Sequence, residues 1–173
     1  MAFIELDSNE DRPNYVRAFG ARPAVYEAWQ QLNGAIKAES DLRRYELATL
    51  AAARRLRSSY CCLAHGKVLA EQFYDADTVC ALPAGLDDAD AAIMELAEKV
   101  VADATSVTQE DVDRLRRLGL GDAEIVDIVL AAAARCFFSK TLDALGVQPD
   151  SSFRALDPAL RDALTVGRPI ESA

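Results

Sequence analysis

The chain has 173 residues, and 28 Asp and Glu against 19 Lys and Arg leave a formal net charge of −9 and a sequence pI near 4.6. That length implies one domain covering 1–173, and a hydrophobic share of 51% with 27% charged residues excludes a disordered chain. The acidic balance, with no basic run longer than a pair, argues against nucleic acid and anionic membrane as partners.

Alanine is the commonest residue, and no five-residue stretch alternates Val, Ile or Thr with polar residues, so the class is all-α. Residues up to about 20 read as an N-terminal tail. They lack the basic-then-apolar succession of a secretory signal, which leaves a cytoplasmic chain as the expectation. Pro23 suits a first helical turn, and Val25, Trp29, Leu32 and Ile36 give that helix an apolar stripe ending near Glu39. Ser40 or Asp41 caps a second helix running to about Arg57. Leu42, Tyr45, Ala48, Leu50 and Ala52 form its apolar side, and Arg43, Arg44, Arg54 and Arg55 are expected in solvent. Ser58 and Ser59 offer hydroxyl oxygens to the free amides of a third helix, from about Tyr60 to Tyr74, so the second and third helices make a hairpin.

Pro83, Gly85 and the carboxylates Asp87, Asp88 and Asp90 mark a loop and the start of a helix carrying Ile93, Leu96, Val100 and Val101. Thr108 and Asp111 match a capping box that opens a short helix ending at Gly119. The longest apolar helix follows Gly121, with Ile125, Ile128, Val129, Ala132, Cys136 and Phe137 as its stripe and Gly146 as its stop. Its purely apolar core, Ile128 to Ala134, is far shorter than the roughly 20 residues of a membrane span. Asp157 and Pro158 start a last short helix, and residues 167–173 read as a tail.

Chemistry concentrates in the window from Glu46 to His65, which holds an acid, two of the four cysteines and the single histidine. Cys61 and His65 are four apart, on one face of the third helix, where an imidazole can exchange a proton with a thiol. Cys61 also falls in the first turn, where the free amides favour a thiolate. Cys62 points roughly 100° away around the helix, which suits packing. A metal site built from Glu46, Cys61, Cys62 and His65 has too few well-spaced ligands for closed zinc coordination, so no metal is expected. Neither dinucleotide nor P-loop motifs occur, so no nucleotide cofactor is expected. Four cysteines in a chain of this length do not make a disulfide scaffold.

The same window resembles the AhpD-like alkylhydroperoxidases of the carboxymuconolactone decarboxylase superfamily. Their pattern is a Glu, a Cys-x-x-Cys beginning twelve residues later, and a His four beyond the second Cys. Glu46, Cys61 and His65 match, Tyr60 stands where the family often has His or Tyr, and Ser58 replaces the first Cys. A register with Cys62 as the second Cys fits less well, since His65 is then only three residues on and Ser59 replaces the first Cys. RRLRSSYCCLAHG, LRRLGLGDAEIVDIV and ALTVGRPI look like the peroxidase-related branch, so the resemblance covers about residues 20–168.

The resemblance implies an AhpD-like helical fold, a homo-oligomer, and a thiol-dependent peroxidase with a small hydroperoxide substrate and an external thiol reductant. It assigns Cys61 as nucleophile, His65 and Glu46 as proton relay, and Tyr60 as a hydrogen-bond donor. With Ser58 in place of the first Cys, the family's disulfide cycle is lost. Cys62, Cys80, Cys136 or an outside thiol must then resolve an oxidised Cys61, and Ser58 is left with a capping role. Two alternatives follow: a decarboxylase-like lyase working through Glu46 and His65, and a non-catalytic redox-sensing or structural member.

Overall fold

The computed structural model describes residues 2–172, and among them there are nine α-helices, two short 3-10 turns and no strand. At the centre is α3 (Leu42–Leu56), in which every residue from Tyr45 to Ala53 is buried. Four of those nine are alanines, whose small side chains let neighbours approach from several directions. The neighbours are α4 (Ser59–Gln72), α6 (Asp88–Asp103) and α8 (Asp122–Ala144). Asp41 caps α3 by accepting the Arg44 N–H at 2.9 Å, and Arg57 closes it in the left-handed conformation at φ 57°. Because α3 is enclosed rather than one-sided, its arginines do not all face water. Arg43 pairs with Asp90 of α6 and Arg44 with Glu124 of α8. Arg54 donates to the carbonyls of Val79 and Leu82 at 2.9 and 2.8 Å, which ties α3 to α5 (Ala76–Ala81); only Arg55 of the four is exposed.

Two apolar stripes are rotated from their predicted positions. In α2 (Pro23–Glu39) Trp29 and Ile36 are buried, whereas Val25 and Leu32 are 43% and 53% exposed. This helix packs chiefly on α8, and a single neighbour covers only a narrow strip. In α8 the buried line runs through Ile125, Ile128, Ala131, Ala132, Arg135, Phe138, Ser139 and Leu142, leaving Val129 and Phe137 at the surface. The predicted stripe shares Ile125, Ile128 and Ala132 with the buried one but includes Val129, Cys136 and Phe137 and passes over Arg135, Phe138, Ser139 and Leu142.

The helix start marked by Asp87, Asp88 and Asp90 is that of α6, where Asp87 is the cap and accepts the Asp90 N–H at 2.8 Å, and the predicted capping box of Thr108 and Asp111 opens α7 (Gln109–Arg117). Gly119 and Gly146 follow their helices with φ of 92° and 74°.

Both predicted tails are instead packed against the body. The short α1 (Asn14–Arg17) is followed by buried Ala18 and Phe19, and the Phe3 N–H donates to the Leu145 carbonyl at 2.8 Å. Buried Asn14 donates to Glu171 at 2.7 Å, joining the two ends of the chain. Beyond α9 (Pro158–Leu164) the Gly167 N–H donates to Ser59 Oγ at 2.8 Å. A Cβ at Gly167 would lie 2.0 Å from the Arg57 carbonyl oxygen, so the close crossing over the turn before α4 requires glycine. Neither α1 nor α5 was predicted, because four and six residues are too few to show a helical period. No helix among the described residues is long and apolar enough to cross a membrane.

Candidate active site

The packing of α3 on α4 brings Glu46 and His65 together, with Glu46 Oε2 2.6 Å from His65 Nδ1. Glu46 is 1% exposed, and its other oxygen accepts from Lys37 Nζ of α2 at 3.0 Å. The far nitrogen of the ring, Nε2, lies 3.1 Å from Nη1 of Arg135 on α8. A guanidinium has only donors, so His65 Nε2 must accept, and the ring proton therefore resides on Nδ1 and is donated to Glu46. Arg135 also donates to Asn33 Oδ1 at 2.7 Å, and that oxygen takes the Tyr45 hydroxyl at 2.8 Å. A continuous polar line thus runs from Lys37 through Glu46, His65 and Arg135 to Asn33 inside an otherwise apolar packing of α2, α3, α4 and α8.

Charge states follow from these surroundings. Burial lowers the His65 pKa below its ordinary 6.5, and nearby Arg135 adds to this, outweighing the upward pull of Glu46. The ring is neutral at pH 7. Burial pushes Glu46 up, but the bonds from His65 and Lys37 outweigh it and hold the carboxyl below its ordinary value, so it stays ionised.

Cys61 is 2% exposed and lies in the first turn of α4 as predicted. Its Sγ accepts a hydrogen bond from the Ser139 hydroxyl at 3.0 Å, not from His65, both of whose ring nitrogens are engaged elsewhere. Cys61 and His65 nevertheless line one cavity of about 350 Å³, with Arg135 and Asn33 beside them. Its aromatic walls are Tyr15, Tyr26, Trp29, Tyr60 and Phe138.

Tyr60 contributes its ring to this wall while its hydroxyl is given to Asp150. Burial and that carboxylate raise its pKa far above the ordinary phenol value. Ser58, expected as a cap, makes no side-chain capping bond. It is fully buried, and its hydroxyl reaches no partner at hydrogen-bonding geometry. Cys62 is fully buried, and burial, with Cys61 beside it, pushes its thiol pKa well up. Cys80 and Cys136 are half-buried, and all four cysteines are free.

Arg135, Ser139, Asn33 and Lys37 were not singled out in the sequence. The available signal was in α8, where Arg135 and Ser139 continue the three-and-four spacing of Ile128, Ala131 and Ala132. A charged residue in register with an apolar stripe marks a buried polar site.

Fold and site together define an all-α protein with a buried cysteine and a Glu-His-Arg line facing one aromatic cavity. No family model and no curated protein matches the chain. Solved structures do: it has the AhpD-like fold. An alkylhydroperoxidase AhpD core, a peroxidase-related protein from Ralstonia eutropha JMP134, is 23% identical with a TM-score of 0.73, over 82% of this chain and 78% of that one. A peroxidase-related protein from Silicibacter sp. TM1040 is 18% identical with a TM-score of 0.76, over 83% and 79%. The debrominase Bmp8, as a cysteine-to-alanine variant with 2,3,4-tribromopyrrole, is 17% identical with a TM-score of 0.74, over 87% and 82%.

Proposed function

We propose that the chain is a thiol-dependent oxidoreductase of peroxidase type, with Cys61 as nucleophile and His65 and Glu46 as the proton relay. The observation that carries this reading is the convergence of the Cys61 sulfur and the Glu46-bound His65 ring on one cavity. The Cys61 thiolate attacks the distal oxygen of ROOH; the S–O bond forms, the O–O bond breaks, and RO⁻ takes the proton held on His65 to leave as ROH. The proton given up by the thiol goes to His65 Nε2, which parts from Arg135, while ionised Glu46 stabilises the imidazolium through Nδ1–H. Ser139 donates to the sulfur and so stabilises charge there.

The sulfenic acid on Cys61 then condenses with an external thiol, losing water, and a second thiol releases Cys61 as the symmetrical disulfide departs. The reductant is taken as external: Ser58 carries no thiol to resolve Cys61, Cys62 is enclosed in the core, and neither Cys80 nor Cys136 lines the cavity. Cys61→Ser should abolish consumption of an organic hydroperoxide in excess thiol while Cys62→Ser retains it; unchanged turnover in Cys61→Ser would overturn the proposal.

A second reading, dehalogenation of an aryl bromide by the same thiol, is favoured by the aromatic walls of the cavity. In that reaction the bromoarene and two thiols give the arene, HBr and a disulfide, so bromide release separates the two readings. We further propose a homo-oligomer, supported by exposed Val25 and Leu32 on α2 and Val126, Val129, Leu130 and Phe137 on α8. Sedimentation should then give a mass of two or more times 18.8 kDa, and a mass of 18.8 kDa would refute the oligomer.

A further inference from the structure

Arg135 carries a charge that the protein does not answer. It is 4% exposed, and among the described residues no carboxylate lies within ion-pair distance of it. Its neighbours are neutral: the His65 ring, the Asn33 amide oxygen, and the faces of Trp29 and Phe138 at 5.0 and 5.3 Å. Lys37 pairs with Glu46, and the Cys61 sulfur takes its hydrogen bond from Ser139 and not from Arg135. Only two of the five N–H groups of the guanidinium are used, and Nε has no partner. A buried charge is costly unless it is paired, so an unpaired guanidinium beside an open cavity is a place for an anion.

The planar fork of Arg matches a carboxylate better than a point charge does. The remaining walls are aromatic, which suits a flat unsaturated body, and about 350 Å³ limits the ligand to a small one. We propose that the cavity binds a small, flat carboxylate, anchored by Arg135 and packed between the aromatic walls. If the cavity is the reaction site argued above, its substrate is a carboxylate-bearing molecule of this kind.

The chain's single tryptophan, Trp29, lies against Arg135, so its fluorescence reports occupancy without any turnover. Benzoate is the probe, benzamide its uncharged counterpart and nitrate the anion without an aromatic body. In the full chain, and equally in Cys61→Ser, benzoate should bind at least about tenfold more tightly than benzamide or nitrate. Arg135→Gln should bring benzoate to within about twofold of benzamide. Equal binding of benzoate and benzamide, or a benzoate preference surviving in Arg135→Gln, would overturn the proposal, and nitrate matching benzoate would overturn the flat-body part. If Arg135→Gln does not fold, Arg135→Lys takes its place. There benzoate should weaken severalfold with benzamide unchanged, and a parallel loss of both would refute the fork. Peroxide consumption in the same preparations keeps the two readings apart. Benzoate selectivity without consumption would leave this inference standing and sink the peroxidase reading, whereas consumption without selectivity would do the reverse.

Discussion

Glu46→Gln removes one charge from the interior and leaves no arrangement that satisfies the remaining groups. Glu46 accepts from the His65 Nδ1–H on one oxygen and from Lys37 on the other. Glutamine keeps one acceptor and gains an amide that only donates. Turned with its oxygen to His65, it sets the NH₂ against the Lys37 ammonium. Turned the other way, it sets the NH₂ against Nδ1–H, and moving the ring proton to Nε2 only transfers the conflict to the Arg135 N–H at 3.1 Å. One unmet buried donor costs about 1–3 kcal/mol, which for a chain of this length lowers Tm by about 4–8 °C at a middle value of 2 kcal/mol. Circular dichroism melting at pH 7 measures this directly. The His65 pKa should move further down in the variant, since Glu46 is the group that raises it, and the ring carbon resonances report that shift. Peroxide consumption should fall about 10- to 100-fold, the range for losing one or two charged hydrogen-bond equivalents in the relay. A Glu46→Gln protein with unchanged Tm and an unchanged His65 titration would refute the polar line on which this reasoning rests.

Because burial depresses the His65 pKa, the unfolded chain takes up a proton just below pH 6.5 that the folded chain refuses, so stability falls as pH falls through that window. The chain has one histidine, and His65→Gln should flatten the Tm slope just below pH 6.5; an unchanged slope would assign it elsewhere. Glu46, also depressed, acts with the same sign lower down, below 4.5. Ser139→Ala deletes the hydroxyl bonded to the Cys61 sulfur and should slow alkylation of Cys61 by iodoacetamide about fivefold, with Cys80 and Cys136 unaffected as internal controls. Gly167→Ala forces a methyl group into the Arg57 carbonyl and should cost about 1–3 kcal/mol in urea unfolding, whereas Gly34→Ala, with open space around it, should be neutral or stabilising.

The helical class, the caps at Asp41 and Thr108, the helix start at the acidic cluster Asp87 to Asp90 and the stops at Gly119 and Gly146 were legible because each rests on residues within four positions of one another. Cys61 and His65 were legible from their four-residue spacing on one helix, whereas Glu46 entered through the resemblance of the window to a known family pattern. Arg135 and Ser139 lie 70 and 78 residues from the groups they touch. Periodicity marks a helix as amphipathic, but in α2 and α8 it did not fix which side is buried, and it does not say which other helix that side meets. The same limit explains the packed termini, since the contact of Gly167 with the turn before α4 depends on tertiary approach and not on local propensity. Cys61 and His65 are close in sequence, yet their four-residue spacing suggested a direct pair, whereas Glu46 and Arg135, arriving from α3 and α8, occupy both ring nitrogens.

The central claim is that Cys61 is the atom on which peroxide chemistry occurs. The most direct measurement treats the full chain with one equivalent of an organic hydroperoxide, traps sulfenic acid with a dione, and locates the adduct by peptide mass spectrometry. The account predicts the adduct on Cys61, formed faster than on Cys80 or Cys136 although Cys61 is the more deeply buried, and slowed by Ser139→Ala. Labelling confined to the more exposed cysteines, with Cys61 untouched, would contradict it.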